Sequence, residues 1–175
     1  MGAPAGFITV TAEENAVDSV ERAVEFMQRI DLESRVKWTV IALHHSLYCF
    51  LICAIQGSTR RRVMTKNRRL IDFREALKRA QSDEWMGQYV SSKKLELSED
   101  EKTAINLIWN ELRNEFEHFS PNVWGIYTEG FSDAVKHVLR VIRFLALECG
   151  NVVLLSQEQR ARVSAAIERI TSAAQ

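Results

Sequence analysis

Chemistry in this chain concentrates in one hexad, Arg113-Asn114-Glu115-Phe116-Glu117-His118, followed by Phe119-Ser120-Pro121. A guanidinium grips a phosphate through two parallel hydrogen bonds, and an imidazole moves protons near neutral pH. A fixed cation beside a titratable imidazole is enough to cleave RNA without a metal. Asn114 and His118 are four apart and share a helix face; Arg113 is one step round, with a side chain long enough to swing alongside. No Gly-rich phosphate loop, Ser-His-Asp arrangement or paired-carboxylate pattern competes with this run.

The elements that must hold the hexad read as helices. Thr11 caps a first helix with Glu14 in the capping-box position, and Val17, Val20, Ala23, Val24, Met27 and Ile30 form its stripe. Asp31 and Glu33 open a second helix that runs to about Ile55 and stops at Gly57. Its stretch Trp38–Ile55 carries no charge and is nearly long enough to span a bilayer, but His44, His45 and Ser46 in its middle argue for the central helix of a bundle. Ile71 to about Tyr89 resumes helical spacing. Ser98 with Glu101 caps the helix carrying Ile105, Ile108, Trp109, Leu112 and Phe116, and Pro121 ends it. Phe131 to about Leu147 and Ser156 to about Ala174 complete the set. The spacing predicts an all-α, single-domain bundle of about five to six helices over residues 1–175, with a loose terminus at 1–10 and a basic loop at 58–70.

Apolar residues make up 46% of the 175 residues, ordinary for a globular domain with a core of its own. Formal net charge is zero, so no global field draws in nucleic acid and any such binding must be local. Three cysteines, Cys49, Cys53 and Cys149, form no spaced framework, which points to a reducing, cytoplasmic setting. Met1–Phe7 lacks the pattern of a signal peptide, and Gly2 lacks the hydroxyl residue that a myristoylation signal needs.

The pattern Arg, Asn, three residues, His at the end of a late helix resembles the signature of the HEPN superfamily. Its members are small α-helical bundles, many of them RNases of toxin–antitoxin, abortive-infection and CRISPR systems. Arg113, Asn114 and His118 match that motif position for position. The layout before it, a long apolar helix with Lys37-Trp38 and Ala42-Leu43-His44 and then a basic link, matches more loosely. The resemblance implies a homodimer that brings two motifs to one cleft, with RNA as substrate and an antitoxin or defence-system partner. One imidazole then deprotonates a ribose 2′-OH, the arginines stabilise the charged phosphorane, and a 2′,3′-cyclic phosphate results. No metal or cofactor is expected, and DNA, lacking the 2′-OH, is spared. Some members carry a tyrosine two residues after the histidine as a modification target; Ser120 stands there, so that form of silencing is not implied. A catalytically inactive helical module that binds RNA or protein is the alternative.

Each of these residues also has a structural reading. The helix dipole alone favours a histidine at a helix C-terminus, and Arg113 can pair with Glu117 at the surface. His45, Cys49 and Cys53 lie four apart on one face and could offer three ligands to zinc, or simply pack as small core groups. His44 and His45 either face the motif cleft or are satisfied in the core. Arg60, Arg61, Arg62, Lys66, Arg68 and Arg69 could track an RNA backbone, with Trp85 or Trp124 stacking bases, or form a solvated loop. The remaining aromatics, Trp38, Tyr48, Phe50, Trp109 and Phe116, read most simply as core.

Overall fold

In the computed structural model, which describes residues 6, 8–118 and 123–172 (side chains of 32, 33 and 172 excepted), seven helices account for the fold. They are α1 (Ala12–Met27), α2 (Leu32–Gln56), α3 (Phe73–Ala80), α4 (Asp83–Met86), α5, α6 and α7 (Gln157–Ser172). Helix α5 begins as Glu99–Asn106, widens into a π-helical stretch over Leu107–Arg113, and closes with the α turn Asn114–Glu117. Helix α6 runs Phe131–Arg143 and widens likewise over Phe144–Glu148. No strand occurs among the described residues, only an isolated bridge between Met64 and Leu70.

The all-α bundle expected from the spacing is what forms, and α2 is its axis. Phe50, Leu43, Leu47, Leu51 and Ile55 on α2 are fully buried, and α2 packs on α1, α3, α5 and α6. The segment Ser34–Gln56 is long and apolar enough to cross a membrane, yet 72% of its most apolar window lies inside the protein. Ser46 in the middle of it donates to Ala16 O (3.0 Å) and ties α2 to α1.

The caps fall where the side-chain patterns put them. Asp31 accepts from Ser34 N (3.2 Å), and Ser98 and Glu101 form a complete capping box. Ser156 and Gln159 do the same reciprocally at the start of α7 (3.1 and 2.9 Å). At α1 only half the box is made: Thr11 accepts from Glu14 N (3.1 Å), while the Glu14 carboxylate turns to Arg162 (2.7 Å) and Gln159 (2.8 Å) on α7. A long-range ion pair, extended by Glu21 with Arg162 (2.6 Å), has displaced the local hydrogen bond to the cap backbone.

Other expectations need correction. Ile30 does not close the α1 stripe; α1 ends at Met27 and Ile30 is fully exposed. Residues 71–89 are not one helix, because the chain turns at Gln81–Ser82 and the Ala80 carbonyl accepts from Leu95 N (2.8 Å) instead of continuing the helix. The 58–70 segment is not a plain loop. It holds a 3₁₀ turn (Arg60–Val63), and Ile71 N donates to Val63 O (2.9 Å) to close it. Trp38 is 42% exposed rather than core. The end of the motif helix at Pro121, the Ser120 position and Ala174 lie outside the described residues.

Gly57 ends α2 with φ +49°, a backbone state that favours glycine. A Cβ there would fall 1.5 Å from Gln88 Oε1. That close approach lets Gln88 Nε2 donate to two of the last carbonyls of α2, Ala54 O and Ile55 O (both 3.0 Å).

Candidate functional site

Arg113 stands where the π-helical stretch of α5 returns to α-helix. Its Nη1 donates to Asn114 Oδ1 (3.1 Å), and Asn114 is itself anchored to Asn110 O (2.9 Å). Its Nη2 forms an ion pair with Glu117, one turn on. The Arg113 side chain is about three-quarters buried, at 27% exposure, and its Nε is buried without a hydrogen-bond partner among the described residues. Asn114 thus orients the arginine. His118 is the C-cap of α5: exposed, in extended conformation, with its N–H donating to Asn114 O (3.0 Å). The three motif residues therefore share the last two turns of α5, Arg113 turned inward and His118 outward.

Facing Arg113 across the helix interface is His44 of α2. It is 9% exposed, and its Nε2 is buried without a hydrogen-bond partner among the described residues. Burial, then the Arg113 charge, then His45, hold its pKa down at about 4 from 6.5, so the imidazole is neutral at physiological pH. Between α2, the start of α3 and α5 lies an open cavity of about 480 Å³ lined by His44, Tyr48, Asp72, Phe73, Arg74, Trp109 and Arg113. On the other side of His44 and Arg113 a second depression, about 640 Å³, opens towards Asp18 and Arg22 of α1 and Glu117. His44, Tyr48 and Arg113 form the shared wall of both.

The first cavity has an aromatic lining fixed by mutual contact. Phe73 packs on Trp109 (4.9 Å between centroids) and on His44 (5.0 Å). Tyr48 donates its hydroxyl to Ile71 O, and its pKa is raised by burial and then by Asp72. The Arg74 guanidinium lies 5.5 Å from the centre of the Trp109 ring. Asp72 Oδ1 caps α3 by accepting from Glu75 N (2.8 Å).

The basic segment divides. Arg60, Arg61, Lys66, Arg68 and Arg69 are exposed. Arg62 is not part of that surface: its Nε donates to Ile55 O (3.1 Å) and its Nη2 to Glu84 O (3.1 Å) and Trp85 O, so it braces the end of α2. It meets Ile55 roughly 16 Å along α2 from His44, so the segment and the motif do not share one pocket at that point. Trp85 lies under Arg79 (4.0 Å) and Arg62 (5.4 Å), with those cations already on its ring. Trp124 packs edge-on against Phe116 (5.1 Å) and is 38% exposed.

Cys49 and Cys53 pack into the bundle, while His45 on the same face is exposed. Asn15 Nδ2 lies 2.8 Å from His45 Nε2, and Cys53 is buried. Burial raises the thiol pKa of Cys49 to about 11 and that of Cys53 further. No group of three or more metal-ligating side chains occurs among the described residues, and all three cysteines are free thiols.

Sequence reasoning placed Arg113, Asn114 and His118 on one helix end, passed over Asp72 and Arg74, and read Trp109 as core. The available signal was a pair of four-residue spacings, His44 to Tyr48 and Trp109 to Arg113, each joining a polar group to an aromatic on one helix face. No protein family, curated protein or solved structure matches the chain.

Proposed function

We propose that the chain is a metal-independent endoribonuclease of the HEPN type, acting in the cytoplasm as a homodimer on RNA, with Arg113, Asn114 and His118 at the dimer cleft. The observation that carries this reading is the chain of hydrogen bonds from Asn110 O through Asn114 to Arg113 Nη1, which fixes a guanidinium one turn before an exposed imidazole. Fixed donors aimed at developing charge are what a phosphorane requires. Support for the dimer comes from an open groove lined by Trp38, Phe116, Trp124 and Ile126 beside the end of α5, a surface suited to a second copy.

In this reaction His118 of one protomer takes the proton of a ribose 2′-OH. The oxygen attacks phosphorus, the P–O5′ bond breaks, and the partner's His118 returns a proton to the leaving oxygen. The products are a 2′,3′-cyclic phosphate and a 5′-hydroxyl. Arg113 neutralises the phosphoryl oxygens, and the exposed basic residues Arg60, Arg61, Lys66, Arg68 and Arg69 hold the flanking strand. An antitoxin or defence-system partner is part of the same proposal.

The second reading, a catalytically silent module for RNA or protein, is favoured by the Arg113–Glu117 ion pair, which neutralises the guanidinium within one chain. The test is incubation with mixed RNA, with and without chelator, alongside His118→Ala and Arg113→Ala. Cleavage that survives chelation, leaves cyclic phosphate ends and vanishes in both variants supports the nuclease. Wild-type activity in His118→Ala, or no cleavage by a dimeric wild type, leaves the silent module.

A further inference from the structure

Two loops meet at the end of the bundle where α2 stops. One is the turn after α4, carrying Tyr89 and Val90; the other follows α6 and carries Val153 and Leu154. All four side chains are exposed, Val90 completely and Val153 and Leu154 by more than half. The chain that displays them is held fast. Lys93 N donates to Cys149 O (2.9 Å), and the buried Asn151 accepts from Ser92 while donating to Met86 O (2.9 Å). A Cβ on Gly150 would fall 2.8 Å from Ser91 O, so glycine is what lets the two loops close up. A frame with its polar groups satisfied thus holds aliphatic side chains out in water, which penalises them.

Cations surround these aliphatics. Gln88 Nε2 and Arg62 Nε both donate to Ile55 O (3.0 and 3.1 Å), so residues 60–62 and the 88–90 turn flank the same helix end. Arg60 and Arg61 are exposed there, and Lys93 is exposed in the turn loop itself. Lys66, Arg68 and Arg69 extend the charge along a turn closed by Thr65 N donating to Arg69 O (2.7 Å). None of these cations forms an ion pair among the described residues. Asp83 and Glu148 are paired with Lys94 and Arg143, and the exposed Glu84, Glu96 and Glu158 are outnumbered.

Aliphatics ringed by unpaired cations suit a bilayer containing anionic lipid. Headgroup phosphates meet the cations while the aliphatics enter the acyl boundary, two weak attractions that together hold a protein to a surface. RNA answers the cations and not the aliphatics, because bases stack on flat aromatics. A second copy meeting this end about a two-fold axis brings like charges together. We infer that this end of the bundle is a peripheral docking surface for an anionic phospholipid bilayer, with Val90 and Leu154 inserted and Arg60, Arg61, Lys93 and the 65–69 turn on the headgroups. No helix crosses the bilayer in this arrangement. The end of α2 lies about 27 Å along that helix from Trp38 and the groove proposed for the dimer, so both surfaces are open at once. The inference does not rest on the nuclease reading; the two meet only in that bilayer and RNA compete for the same basic residues.

Co-sedimentation of the intact protein with vesicles tests it, using phosphatidylcholine alone or mixed in equal parts with phosphatidylglycerol. Wild type is compared with Arg60→Gln/Arg61→Gln and with Val90→Ser/Leu154→Ser; all four residues are exposed, so both variants keep the fold. Wild type should bind the anionic vesicles alone. Each lost arginine should weaken binding about fivefold, and the two lost aliphatics together about tenfold. RNA affinity, read by fluorescence anisotropy, should change in the arginine variant and not in the aliphatic one. No vesicle binding, or equal binding to both compositions, overturns the inference. So does binding that Val90→Ser/Leu154→Ser leaves unchanged, which reduces the surface to a general attraction for polyanions. Self-association in sedimentation velocity that the aliphatic variant abolishes gives the surface to a second copy and overturns the inference equally. His118→Ala should keep full vesicle binding whether or not the wild type cleaves RNA, so either reading can fail without the other.

Discussion

Acidification from ~pH 7 to ~pH 5 tests how His44 is held. Folded, its pKa is about 4 because burial and the neighbouring Arg113 penalise the imidazolium; unfolded, it returns to the ordinary 6.5. The charged groups that line the same two cavities are Arg113 and Glu117 of α5, Asp72 and Arg74 at the start of α3, and Asp18 and Arg22 of α1. Between the two pKa values the unfolded chain binds a proton that the folded chain does not, so stability falls as pH drops. The penalty is absent above the unfolded value and complete below the folded one. The gap corresponds to about 3 kcal/mol in full, of which about 2 kcal/mol is expressed by ~pH 5. Urea unfolding at both pH values, for wild type and His44→Phe, measures it. Every other ionisable group is common to both proteins, so only the difference between the two pH slopes is read. Wild type should lose about 2 kcal/mol more than His44→Phe over this interval. Equal losses would mean that His44 is solvated or paired in solution and would refute the orphaned-imidazole geometry.

Arg62→Ala should cost about 2 kcal/mol in urea unfolding through loss of its carbonyl bonds at the end of α2. By contrast, Arg61→Ala or Arg69→Ala should stay within about 0.5 kcal/mol of wild type while lowering the salt slope of RNA binding by roughly one each. Gly57→Ala should destabilise by about 2 kcal/mol in the same assay, since its φ of +49° and the Gln88 contact both oppose a Cβ. Glu117→Gln should release Arg113 and tighten RNA binding about fivefold at low salt, read by fluorescence anisotropy. An unchanged affinity there detaches Arg113 from phosphate.

The sequence carried the helices because their signals are local. Asp31, Ser98 and Ser156 cap where a short polar side chain precedes an apolar stripe, and a cap needs no knowledge of the rest of the chain. Departures occur where a distant partner outcompetes a local one. Glu14 abandons its capping box for Arg162, Ala80 gives its carbonyl to Leu95, and Arg62 leaves its basic neighbours to bind carbonyls on α2 and α4. The site follows the same division. Arg113, Asn114 and His118 are readable as a linear run. Arg74 and Trp109 meet His44 only because α3 and α5 both pack on α2, and no spacing within one segment encodes that meeting.

The distribution of unmet polar groups is the strongest structural reason to look for function between these helices. The bundle satisfies most of its buried polar side chains across long sequence separations. Ser46 reaches Ala16 O, and Asn151 donates to Met86 O (2.9 Å) while accepting from Ser92. Four buried side-chain atoms among the described residues lack partners. Arg35 Nε and Thr39 Oγ1, near the start of α2, line neither cavity. His44 Nε2 and Arg113 Nε line both. Each such atom costs on the order of 1–3 kcal/mol. Apolar residues at these two positions would avoid that cost and pack the same interface. A helix pair that keeps an imidazole and a guanidinium on one shared wall, with Asn114 and Glu117 fixing the latter, retains an unmet polar demand between α2 and α5. Stability alone gives no reason for that pairing, and local rules broken without a stabilising return mark the places where function is to be sought.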